Sequence, residues 1–290
     1  MDLWGDIGQQ ISTVSGESFT LQTKQGVSGG CINSAFRLQG GTGKNYFVKL
    51  NQADRLSMFE AEAESLRELI QVQAIRTPSP LCTGIADGQA FIVMEELSLG
   101  GSGSMAKFGR QLAHLHQHTQ ARFGWQQNNT IGSTLQINTL VADWVSFWRE
   151  QRLGVQLQLA AKNNAGSALL KKGEKLLESF TALFIDYQPQ ASLLHGDLWS
   201  GNYAFTQNGE AVIFDPAVYY GDRETDIAMT ELFGGFSSAF YTAYEEVWPL
   251  HRGYVSRKTL YNLYHILNHF NMFGGGYEAQ AEGMIDRLLS

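Results

Sequence analysis

Apolar residues recur along this chain with two different periods. Over residues 18–24 and 34–38, β-forming and polar residues alternate, and Tyr46-Phe47-Val48-Lys49-Leu50 is a short apolar run behind the turn Gly40-Gly41-Thr42-Gly43. All three segments predict strands. Leu56, Phe59, Ala63, Leu66 and Ile70 then fall at helical spacing. They predict a helix over 54–73, stopped before Pro78 and Pro80. Residues 90–94 return to a buried strand. The run Ser98-Leu99-Gly100-Gly101-Ser102-Gly103-Ser104 has little side chain to bury and predicts a flexible hinge or linker. Beyond it, helical periodicity covers 105–118, 139–152, 165–187, 224–233, 238–247 and 256–273, broken by short strands near 203–205 and 211–214. The pattern predicts an α+β chain of two lobes. A small β-rich lobe spans 1–97 and a larger, mainly helical lobe spans 98–290. Ligands often bind where two such lobes meet.

Composition narrows the class. The hydrophobic fraction of 43 % over 290 residues supplies ample core, which argues against disorder. A net charge of −7 repels a phosphate backbone, so nucleic acid is not expected as a partner. Two cysteines, Cys31 and Cys82, are too few for a secreted disulfide framework. No basic start followed by an apolar run marks a signal peptide, and no stretch reaches the roughly 18 apolar residues of a membrane span. The expected compartment is the cytoplasm.

The residues that carry chemistry are His195-Gly196-Asp197-Leu198-Trp199-Ser200-Gly201-Asn202, followed by Ile213-Phe214-Asp215-Pro216. Phosphoryl transfer needs a carboxylate to orient or deprotonate the acceptor and oxygen ligands to hold Mg²⁺ against the phosphates. An Asp, an Asn five residues on, and an Asp after a strand pair supply that set, in the order kinases use. Asp197 is the base candidate, and Asn202 and Asp215 are the metal candidates. His195 is expected to brace the loop rather than react.

The first lobe should then contact ATP. Lys49 ends an apolar strand, where a lysine is costly unless it meets an anion, so it is the phosphate candidate. The next helix offers Glu60, Glu62 and Glu64. Glu62 sits among Phe59, Ala63 and Leu66 and is chosen as the partner of Lys49. Glu60 is held in reserve, and Glu64 is left to solvent. Gly29 and Gly30, between two strands, can bring backbone N–H groups close to phosphate, although they depart from G-x-G-x-x-G. Cys31 lies in that loop. Met94-Glu95-Glu96-Leu97 is either a strand end with solvated glutamates or the place where backbone meets the adenine edge.

Taken together, Gly29-Gly30-Cys31-Ile32, Met58-Phe59-Glu60-Ala61-Glu62, the segment 195–202, Phe214-Asp215-Pro216-Ala217, Tyr220-Gly221-Asp222-Arg223-Glu224 and the closing stretch from Leu263-Tyr264-His265 to Phe273-Gly274-Gly275-Gly276-Tyr277 resemble the fructosamine kinase / ketosamine-3-kinase family. The resemblance covers nearly the whole chain. It implies a bilobal protein-kinase-like fold and ATP- and Mg²⁺-dependent phosphorylation of the 3-hydroxyl of a ketosamine. The acceptor is a small molecule or a glycated protein, and the phosphorylated adduct then breaks down, which is deglycation. It implies Asp197 as base, Asn202 and Asp215 as metal ligands, and Lys49 with Glu62 as the activating pair. Trp199 is then either a sugar platform or a packing residue, and Asp222 either a substrate contact or a helix cap. The rival readings are an aminoglycoside- or choline-type kinase and a non-catalytic nucleotide-binding module.

Overall fold

The computed structural model describes residues 2–27, 32–41 and 43–290. The chain divides into two compact units: residues 1–103 with 204–215, and residues 104–203 with 216–290.

The first unit opens with a helix, α1 (Leu3–Ser15), that the strand-rich reading missed. Its signals are local. Asp2 caps it by accepting the Gly5 N–H at 2.9 Å, and Gly16 ends it at φ 72°. Five strands follow: β1 (Leu21–Val27), β2 (Ser34–Gly40), β3 (Asn45–Gln52), then, after α2 (Leu56–Val72), β4 (Pro80–Ala86) and β5 (Gln89–Glu95). They form one antiparallel sheet in the order β1-β2-β3-β5-β4.

The period of two decides what each face does. Val48, Leu50, Phe91 and Val93 join Leu3, Ile7 and Ile11 of α1 in one core. Phe47, Ala90, Ile92 and Met94 join Met58, Phe59, Ala63 and Leu66 of α2 in another. Burying each large aliphatic or aromatic side chain contributes about 1.5–3 kcal/mol. Lys49 alternates with Val48 and Leu50, so it falls on the α2 face.

Residues 98–103 are not the free linker that their composition suggested. Gly100 and Gly101 N–H groups both donate to the Phe205 carbonyl, at 3.1 and 3.2 Å, and the Gln207 N–H donates to the Ser98 carbonyl. A Cβ on Gly101 would lie 2.1 Å from the Thr206 carbonyl oxygen. The glycines are there for close backbone approach rather than for freedom.

In the second unit, α3 (Met105–His116) is capped by Ser104. Short strands β6 (Thr119–Gln120), β7 (Asn129–Ile131) and β8 (Thr134–Gln136) follow. The helix expected over 139–152 starts later, at α4 (Trp144–Trp148), because Asp143 caps it by accepting the Ser146 N–H. One π-turn, Arg149–Leu153, joins it to α5 (Gly154–Lys162). Then come α6 (Ser167–Ser179) and β9 (Ala191–Leu194). The hairpin of β10 (Tyr203–Phe205) and β11 (Ala211–Ile213) lies almost wholly in the 204–215 segment of the first unit. The second unit resumes with β12 (Tyr219–Gly221), α7 (Glu224–Leu232), α8 (Ser238–Val247), α9 (Tyr254–Phe273) and α10 (Tyr277–Leu289). Strands β12, β9 and β6 form a small antiparallel sheet. Among the described residues, no helix is long and apolar enough to cross a membrane.

Candidate active site

The first unit gathers three charged residues. Lys49 Nζ donates to Glu62 Oε1 at 2.5 Å and to Asp215 Oδ1 at 2.6 Å. The helical period of α2 explains the choice of Glu62, since Glu60 is exposed and Glu64 pairs with Arg67 instead. Asp215 arrives from β11, whose Ile213 N–H donates to the Arg76 carbonyl at 3.0 Å. Asp215 stands at φ 57°, a left-handed conformation that a non-glycine residue adopts at a cost. Its side chain is 48 % exposed, whereas those of Lys49 and Glu62 are 9 % and 11 % exposed. Burial works against the Lys49 ammonium, but the carboxylates of Asp215 and Glu62 outweigh it and raise its pKa. Lys49 is therefore a held positive charge, and one of its two partners faces solvent.

The second unit presents Asp197 and Asn202. The loop leaving β9 turns at Gly196, φ 81°, where a Cβ would lie 2.0 Å from the Ala217 carbonyl oxygen. The Ala217 N–H donates to the His195 carbonyl. The His195 ring is fully buried, and its Nδ1 accepts the Asp197 N–H at 3.3 Å, which braces the loop. Asn202 Nδ2 donates to the Asp197 carbonyl at 2.9 Å and to Asp197 Oδ2 at 3.1 Å. The base candidate and one metal candidate therefore share a hydrogen bond.

Two residues that hold this loop were not anticipated. Asp226 of α7 is buried, and it accepts the N–H groups of His195 at 2.7 Å and Gly196 at 2.9 Å on its two carboxylate oxygens. His116 of α3 lies 3.2 Å from the same carboxylate through Nε2, and its Nδ1 is 2.8 Å from the Tyr244 hydroxyl. Burial pushes the His116 pKa down, so the neutral ring donates from Nε2 to Asp226 and accepts from Tyr244. Burial opposes the Asp226 charge, but the bonds from His116 and from the Gly196 N–H outweigh it and hold the carboxyl below its usual range. Its sequence signal is one acidic residue two positions after Glu224, in the first turn of a short helix.

The remaining predicted residues are placed as follows. Met94 is buried in the α2-side core. The Glu95 carboxylate is taken by Arg76 and by the Ser79 N–H, and its own N–H donates to the Ser79 carbonyl. Leu97 is half-buried at the strand's end. Gly29, Gly30 and Cys31 lie outside the described residues. Trp199 is half-buried, with its ring against the Gly201 backbone and edge-on to Phe233. Asp222 is fully buried. It accepts the Tyr187 and Tyr261 hydroxyls and the N–H of Glu224, the first residue of α7, so its bonds hold the start of that helix.

Comparison with known proteins finds relatives over nearly the whole chain. A protein of Synechocystis sp. named as a probable ketoamine kinase is 49 % identical over 289 residues, covering 99 % of this chain and 97 % of its own. The chloroplastic protein-ribulosamine 3-kinase of Arabidopsis thaliana is 46 % identical, covering 93 % of this chain and 84 % of its own. A solved structure from Haemophilus somnus 129PT, named as a putative fructosamine-3-kinase, superposes with a TM-score of 0.91 at 28 % identity, covering 99 % of this chain and 98 % of its own. The family description for fructosamine kinase matches residues 3–290, and the chain belongs to the fructosamine kinase family.

Proposed function

We propose that this protein transfers the γ-phosphoryl group of ATP to a sugar hydroxyl of a ketosamine, at the 3-position its plant relative is named for. The observation that carries the reading is the pair of prepared sets: Lys49 held between Glu62 and Asp215, and Asp197 held by Asn202. The acceptor oxygen attacks the γ-phosphorus, the bond to the bridging oxygen of ADP breaks, and the acceptor proton passes to an oxygen of Asp197. Lys49 holds phosphate charge. Trp199 offers a ring face to the sugar's C–H side.

Asp215 and Asn202 are the residues that would hold Mg²⁺. Both are hard oxygen donors. The Asp215 carboxylate is half exposed, and Asn202 commits its Nδ2 to Asp197, so Oδ1 is the atom it would turn to a cation. When bound, the ion would neutralise charge on the phosphates. Gly29 and Gly30 would approach the phosphates, and the strand end at Met94, Glu95 and Leu97 would meet the adenine through backbone groups. The chain would work in the cytoplasm, on small ketosamines or glycated proteins, with no nucleic acid or membrane partner.

The test is ADP release from ATP and Mg²⁺ against fructosyl and ribulosyl amines, an aminoglycoside and choline. Turnover on the ketosamines alone supports the reading. Turnover on the aminoglycoside or choline alone moves the protein's chemistry to a sister activity. ATP binding with no turnover on any acceptor favours a non-catalytic module.

A further inference from the structure

The closing stretch from His269 to Tyr277 has no role in the chemistry above, yet it is built into a row of rings that begins at the catalytic loop. Trp199, two residues after Asp197, meets Phe233 edge-on with centroids 6.0 Å apart. The Ser200 hydroxyl donates to the Phe233 carbonyl and ties the loop to that ring. Phe233 lies 5.0 Å from the His269 ring, and His269 lies 5.8 Å from Phe273 and 5.1 Å from Tyr277. Tyr277 can fold back onto α9 because Gly274 and Gly275 take φ 64° and 65°, which reverses the chain between α9 and α10. Trp199, Phe233, His269 and Tyr277 are half-buried, while Phe273 stands 55 % exposed.

His269 gives the row a polar atom. Its Nδ1 is 2.7 Å from the His265 carbonyl and must donate there. The neutral ring then presents Nε2 as an acceptor. Ring faces take alkyl chains and cations, and an acceptor nitrogen takes an ammonium N–H. An acceptor whose hydroxyl is at Asp197 and whose sugar lies on Trp199 reaches this row next.

We infer that Phe233, His269, Phe273 and Tyr277 form the subsite for the amine side of the acceptor, its nitrogen and the chain attached to it, and so set which glycated amines are used. This rests on the ketosamine reading above.

The experiment compares two ketosamines with the same sugar, one carrying N-methyl and one carrying a lysine-length chain. Wild type and Phe273→Ser are assayed for kcat/KM on both. Phe273 is a surface ring, so the variant keeps the fold, and His269→Leu provides a second reading. The inference expects each variant to lose about tenfold on the long-chain acceptor relative to the methyl one. Equal losses on both acceptors, or no loss on either, overturn it. Wild-type silence on both acceptors instead overturns the ketosamine reading beneath it.

Discussion

The two sets of candidate residues are held by opposite means. In the first unit, Lys49, Glu62 and Asp215 are held to each other by charge, side chain to side chain, with Asp215 half open to solvent. In the second unit, the loop of Asp197 and Asn202 is held by its backbone, which Asp226 grips at two consecutive N–H groups in the fully buried interior. A charge-held set can exchange one partner for a ligand, which suits the phosphate contact proposed for Lys49. A backbone-held loop cannot exchange partners without losing its shape, which suits the base role proposed for Asp197.

Four substitutions probe that contrast. Asp197→Asn keeps the loop's shape and removes only the proposed base, so turnover should fall by about 10²–10⁴ with the melting temperature unchanged. Lys49→Met should abolish most turnover and leave the buried Glu62 carboxylate without its cation, costing about 3 kcal/mol in denaturant titrations. Adding Glu62→Gln should recover most of that stability and none of the activity. Recovered activity would mean that Lys49 only neutralises Glu62.

Asp226→Asn should cost about 1–3 kcal/mol, because one loop N–H would then face a donor. Activity should fall along with stability, in contrast to Asp197→Asn. A stable Asp226→Asn enzyme with full turnover would break the comparison.

The smallest effect is one of pH. Burial, with help from His269 and Arg152 against Asp226, pushes the His265 pKa down to about 3. The unfolded chain takes up a proton near pH 6.5 that folded His265 refuses. The contribution of neutral His265 is therefore complete above about pH 6.5. It is lost as pH falls toward about 3. The stability difference between wild type and His265→Gln should shift against wild type between pH 7 and 5, measured by thermal melts. A difference independent of pH would contradict the assignment.

What could be read from sequence follows the range of the interactions. Asp197 and Asn202 lie five residues apart, Lys49 sits in a short strand, and Glu62 is selected over Glu60 and Glu64 by helical period. Local pattern therefore sufficed to single out these four as candidates. The bond from Lys49 to Asp215, across 166 residues, has no such local signal. The grip of Asp226 on the loop spans about 30 residues, and its bond to His116 spans 110. No periodicity encodes either. The same limit hid the strap at 98–103, whose glycines serve a hairpin a hundred residues downstream, and the short strands β6, β7, β8 and β12, whereas β10 and β11 were expected. Helix α1 was different. Its cap and its Leu3, Ile7, Ile11 spacing were visible, and a strand-rich reading of the first hundred residues overrode them.

The central claim is that a phosphoryl group passes to an acceptor hydroxyl with Asp197 as base. Phosphorus NMR of the wild-type protein with ATP, Mg²⁺ and a ribulosyl or fructosyl amine tests it most directly. The account predicts a new phosphate monoester signal on the acceptor, growing in step with ADP and absent in Asp197→Asn. ADP accompanied only by inorganic phosphate, or an undiminished ester signal in the variant, would contradict it.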